Sequence, residues 1–145
     1  MPFSDVTVVV PVDFSDQSDF AVHSALSIAG DPKRLHLVHV LVPLDSVSPG
    51  VLLGDITDET RKAAVEKNLQ KLAAEKGAAG ANMSVLSGDP GEEISEFAKK
   101  IKADLIVIPS HGYQGFKRLV LGSVAERVIR YAECSVLVLR RKDAE

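Results

Sequence analysis

Short runs of apolar, β-branched residues alternate along this chain with segments whose apolar positions recur every three or four residues. Val6 to Val12 (VTVVVPV) is an almost unbroken run of the first kind. Pro11 cannot donate a ladder hydrogen bond, so that strand should end there. Asp13-Phe14-Ser15 reads as a loop, with Ser15 or Asp16 capping a helix to about Ala29. Val22, Ala25, Leu26 and Ala29 form its apolar face and Gly30 stops it. Leu35 to Val42 is a second strand, and Pro43 to Gly54, with no clear period, is a long connection. Thr57 or Asp58 starts a long helix to about Lys76, with Val65, Leu69, Leu72 and Ala73 inward. Asn82 to Leu86 is a weaker strand, expected near an edge. Asp89 then caps a helix that carries Pro90 in its first position and Glu92 and Glu93 in its first turn, with Ile94, Phe97, Ala98 and Ile101 inward.

The densest signal comes last. Leu105 to Ile108, bounded by Asp104 and Pro109, is apolar without alternation, as a strand buried on both faces should be. A loop holding Gly112 and Gly115 follows. Gly122-Ser123 then opens a helix on which Val124, Ala125, Val128, Ile129 and Ala132 recur, placing Ser123 at the N-cap. Val136 to Leu139 closes a βαβ unit.

Strict alternation of buried strands and amphipathic helices predicts an α/β fold, one domain over residues 1–145. A doubly wound, five-stranded parallel sheet in the order 3-2-1-4-5, with helices on both faces, is the leading topology. Its switch point lies between the first and fourth strands, and ligands of open α/β sheets bind there, beyond the carboxyl ends. Asp13 and the segment Pro109 to Gly112 meet at that place. A strand, a glycine loop and a helix start also aim free backbone N–H groups at an anion, so the expected ligand carries phosphate.

Composition narrows the classes. Hydrophobic residues at 46% and charged residues at 26% are ordinary for a globular protein, and a net charge of −3 gives no reason to expect nucleic acid or an anionic membrane as partner. One cysteine, Cys134, excludes an internal disulfide and fits a reducing cytoplasm. The first residues lack a basic region followed by a long apolar run, so no signal peptide is expected, and no segment has the apolar length of a membrane span.

Each candidate has a plainer reading. Asp13 could be a loop cap, Gly112 and Gly115 turn residues, and Gly122-Ser123 only a helix start. His111 lacks a nameable nucleophile and orienting acid, so a loop donor to phosphate or solvent is the commoner role. His36 and His39 alternate with apolar residues, and one is expected in the core against a helix. Lys117 and Arg118 read first as surface charge, and Cys134 as a small, partly buried hydrophobe. The histidines and acids show no metal-ligand spacing.

These residues together resemble the universal stress protein family. Its nucleotide motif is similar to G-x-x-G, nine residues, then G-[ST]; here Gly112 is followed by nine residues and then Gly122-Ser123. Pro11-Val12-Asp13-Phe14-Ser15, the SHG at Ser110 to Gly112, and LGSVAERVIR also fit, over essentially the whole chain. The pattern's first glycine falls on Pro109, which has no N–H to give. The resemblance implies an adenine nucleotide alpha-hydrolase-like fold and ATP as ligand, arriving with Mg²⁺ or Mn²⁺ if any metal. It implies Asp13 on the ribose or adenine edge and the main chain of Val40 on adenine. It puts phosphates on Gly112, Gly122, Ser123 and Val124, with Pro11, Val12, Ile108, Pro109, Ser110 and His111 completing the site. It further implies a homodimer paired through the last strand, Ser135 to Arg140, and a sensor or regulator with no more than slow ATP hydrolysis. Two alternatives stand beside it: a nucleotide-free dimerising module of the same family, and an adenine-nucleotide-dependent enzyme.

Overall fold

The computed structural model describes residues 5–42, 58–110 and 122–140. The Pro43–Gly54 connection, the loop with Gly112 and Gly115, Lys117, Arg118 and the tail after Arg140 lie outside the described residues. The elements are β1 (Val8–Pro11), α1 (Asp16–Ala29), a 3₁₀ turn (Pro32–Arg34), β2 (Leu35–Leu41), α2 (Asp58–Glu75), β3 (Asn82–Ser87), α3 (Pro90–Lys100), β4 (Leu105–Pro109), α4 (Ser123–Tyr131) and β5 (Ser135–Leu139). The five strands form one sheet in the order β3-β2-β1-β4-β5, and every pairing is parallel. This is the doubly wound order expected from the alternation of elements.

The sheet divides two apolar cores. On one face Val8, Val10, Leu35, Leu37 and Val107 meet Val22 and Ala25 of α1 and Leu69 and Leu72 of α2. On the other, Val9, Val38, Ile106 and Ile108 meet Ile94 and Ala98 of α3 and Ala125 and Val128 of α4. Successive residues of β1 and β4 serve opposite cores, which is why both strands are apolar at every position. His36 turns its ring edge to Phe97 of α3, with centroids 6.0 Å apart. It is half-buried, not fully in the core, and that burial lowers its pKa.

Helix ends follow from local chemistry. Ser15 Oγ accepts the Ser18 N–H at 3.3 Å to start α1, and Gly30, at φ +76°, ends it. Asp89 accepts the Glu92 N–H at 3.1 Å to start α3. At α4 the expected cap is displaced by one residue: Gly122 is the N-cap and Ser123 is the first helical residue. No side chain caps this helix. Ile129, expected on the inner face, is exposed, because Ala125 and Val128 already fill the stripe that a nine-residue helix turns to the sheet.

Helices α3 and α4 approach closely at Gly91, where an added Cβ would overlap the Cβ of Arg127. Both atoms are fixed to backbone, so neither can swing aside. Gly91→Ala should therefore destabilise the fold by roughly 1–3 kcal/mol through overpacking. The measurement is the midpoint of urea unfolding, and an unchanged midpoint would show that the two helices part without cost.

Candidate functional site

The site begins with a gap in the sheet. Strands β1 and β4 pair only at Val8↔Leu105 and Val9↔Ile106, whereas β4 and β5 stay in register through Pro109↔Leu139. Leu105 N–H donates to Thr7 C=O at 3.2 Å, so the odd-numbered residues of both strands point their polar groups at each other. The next donors in that ladder would be the N–H groups of residues 11 and 109. Both are proline. The donor after those, Asp13 N–H, goes instead to Ser18 Oγ at 2.8 Å. With no ladder donor left among the described residues, the strands separate at their carboxyl ends.

The opening is a cavity of about 290 Å³. Pro11, Val12, Asp13, Val40, Ile108, Pro109, Ser110, Gly122, Ser123 and Val124 all line it, so the residues singled out from sequence converge on one place. His111 and Gly112, assigned to the same site, lie outside the described residues. Ser18, Val38, His39, Pro90, Ile94 and Ala125 complete the lining and were not among the sequence candidates for the site. A signal for Pro90 and Ile94 was available. A helix leaving the edge strand β3 for the central β4 must cross the sheet, and its start then borders the switch point.

The loop after β1 is held by a knot around one carboxylate oxygen. Asp13 Oδ1 accepts from Ser15 N–H (3.0 Å), Ser15 Oγ–H (2.5 Å) and Ser18 Oγ–H (2.5 Å). Asp13 is thus both the loop cap and a wall of the cavity, and Oδ2 makes no hydrogen bond among the described residues. Phe14 inside this knot sits at φ +64°, a left-handed conformation unusual for a side chain of its size. Its ring lies 5.2 Å from that of His39. His39 Nδ1 stands 2.6 Å from the Val12 carbonyl; a carbonyl only accepts, so Nδ1 carries the proton.

On the far side, Ser110 N–H donates to Leu139 C=O at 2.8 Å and Ser110 C=O accepts from Gly122 N–H at 2.7 Å. The Gly122 N–H, counted from sequence among the anion donors, is spent on this bond. The Glu126 N–H returns to Gly122 C=O at 3.0 Å. That leaves Ser123, Val124 and Ala125 as the first-turn amides without a side-chain cap, at the positive end of the helix dipole and on the cavity wall. Gly122 itself has φ −65°, open to any residue, so its backbone angle does not demand glycine. Among the described residues no group of three His, Cys, Asp or Glu could hold a metal ion, and no helix is long and apolar enough to cross a membrane.

The sequence model of the universal stress protein family matches residues 7–140. The chain belongs to this family. It is 38% identical over 144 residues to a universal stress protein of Methanocaldococcus jannaschii, covering 95% of this chain and 84% of that one. A solved universal stress protein in complex with cAMP is 25% identical, with a TM-score of 0.66 over 96% of this chain and 100% of its own. The universal stress protein of Archaeoglobus fulgidus in complex with dAMP is 26% identical, with a TM-score of 0.63 over 94% of this chain and 98% of its own.

In this universal stress protein, Ser18 is the buried residue that ties the Asp13 loop to α1. Ser18→Ala would strand both the Asp13 N–H and one lone pair of its carboxylate. A loss of about 1–3 kcal/mol in unfolding free energy is expected, by denaturant titration. Wild-type stability in the variant would mean that water replaces the hydroxyl at no cost.

Proposed function

We propose that this chain binds ATP in the β1–β4 crevice and acts as a cytoplasmic, homodimeric sensor or regulator in stress responses. The observation that carries the reading is the uncapped start of α4 opening on the same cavity as the Asp13 carboxylate. Amides and a helix dipole suit phosphate, and a carboxylate suits the donors of a nucleoside. The residues fit such a ligand. Val38, Val40, Ile94 and Ile108 give the cavity apolar walls for a base, and its volume stands near the lower end of the roughly 300–1,000 Å³ range of small-molecule sites. The amides of Ser123, Val124 and Ala125 would hold the phosphates, and Mg²⁺ or Mn²⁺ would arrive with them. Relatives in complex with cAMP and dAMP support an adenine nucleotide as the ligand class. The glycine motif and helix start supply binding donors, and phosphoryl transfer needs positioned metal ligands and a water-orienting group besides, so binding rather than turnover is the proposed activity.

Pro109 sets the affinity. A missing charge-assisted bond costs about 1.5–3 kcal/mol, or roughly ten- to a hundredfold, so a dissociation constant in the micromolar range or weaker is expected. Mass spectrometry of gently purified, then denatured protein tests the reading by the ATP or ADP released. Gly122→Val should abolish ATP binding in titration calorimetry while leaving the circular dichroism spectrum unchanged, since φ at this position suits valine but the side chain would crowd the anion. ATP binding by this variant at wild-type strength would place the phosphate elsewhere. A wild-type protein that dimerises yet holds no nucleotide would be an interaction module instead.

Dimerisation is supported by β5, which ends the sheet as an edge strand of sequence SVLVL with Leu137 exposed. A bare apolar edge invites aggregation, and pairing with a second copy about a two-fold axis removes it. Light scattering at micromolar concentration should give a dimer mass, and Val138→Pro should shift it toward monomer or aggregate. A monomeric wild type would overturn the dimer.

A further inference from the structure

The gap between β1 and β4 has a chemical sign. Among the described residues, every backbone donor that the ladder would have placed there is absent or diverted: residues 11 and 109 have no N–H, and the Asp13 N–H is held by Ser18 Oγ. The acceptors are still present. By the alternation that the Leu105–Thr7 bond fixes, the carbonyls of Pro11 and Pro109 both point into the gap, and neither receives an N–H from the facing strand. Asp13 adds a carboxylate to the same wall. Among the described residues the backbone of this part of the cavity therefore offers acceptors, and the α4 amides on the same cavity form a wall of donors.

Such a split sorts a ligand by its own groups. Buried carbonyls need donors, and an anion or an ester oxygen set against them leaves both partners unsatisfied. The position of the acceptor wall is also fixed. Ser110 C=O is bonded to Gly122 N–H at 2.7 Å, so Pro109 lies one residue from the helix start that takes phosphate. In a nucleotide the group tethered next to the 5′-phosphate is the ribose. Resting on the nucleotide reading above, we infer that this crevice selects nucleotides whose ribose 2′- and 3′-hydroxyls are both free to donate, and disfavours 3′,5′-cyclic ones. In a cyclic nucleotide the 3′-oxygen is an ester that cannot donate, and its phosphate is drawn back over the acceptor wall. Pro109 is the specificity-determining residue. An N–H at this position, as the glycine of the family pattern would supply, gives the ester or phosphate oxygen a partner.

Titration calorimetry with AMP, 3′-deoxy-AMP and cAMP on the wild-type protein tests this without any substitution. AMP should bind at least about tenfold more tightly than either of the others, the cost of leaving one buried acceptor unmet. Pro109→Ala restores the N–H without adding glycine's freedom, and should narrow the AMP-to-cAMP ratio by tightening cAMP more than AMP. Equal affinity of the wild type for AMP and cAMP would overturn the selectivity while leaving the nucleotide site standing. A ratio unchanged in Pro109→Ala would remove the role given to Pro109. Binding of none of the three by either protein would overturn the nucleotide reading, and the selectivity with it.

Discussion

Two prolines that cannot donate hydrogen bonds decide where this molecule opens. Elsewhere the parallel sheet is continuous: β2 follows β1 through Pro11↔Val38 and β5 follows β4 through Pro109↔Leu139. Pro11 and Pro109 are tolerated within those strands because the backbone face that lost its N–H is turned toward the β1–β4 gap and not toward β2 or β5. Chain topology alone separates strands at a switch point. Here the separation is enforced covalently, one residue on each side, so no change in side-chain packing can close the ladder.

The neighbouring groups follow from that gap. Asp13 stands where its N–H would have resumed the pairing, and Ser18 takes the N–H instead while binding the carboxylate. The strained backbone of Phe14 is over-determined by three hydrogen bonds on one oxygen. The opposite lip is fixed by Ser110, bonded to β5 through its N–H and to the start of α4 through its carbonyl. Both lips are thus tied to regular structure, leaving little reorganisation to oppose ligand binding.

The sheet was legible because burial on both faces writes itself as unbroken apolar runs, and Leu105–Ile108 and Val8–Val10 carry that signature without ambiguity. The helix starts at Ser15 and Asp89 were legible because short polar side chains there have a single local task. At Gly122-Ser123 the same rule misplaced the cap by one residue. The Gly122 N–H is claimed by Ser110, twelve positions earlier, and no local pattern records a bond over that distance. Ile129 looked internal because helical spacing defines a stripe but not its width. Pro90, Ile94 and Ser18 joined the site through the path of a crossover and a backbone donor diverted by the missing ladder. These are properties of assembled strands, not of any one segment.

The Ser110–Gly122 bond also acts as a clasp. It joins the end of β4 to the N-cap of α4, with β5 behind the one and the body of the helix behind the other. A strand end and a helix start that share a hydrogen bond keep one spacing. The two lips therefore work as a gauge, whose width is set by the frame and against which the length of any spanning molecule is measured.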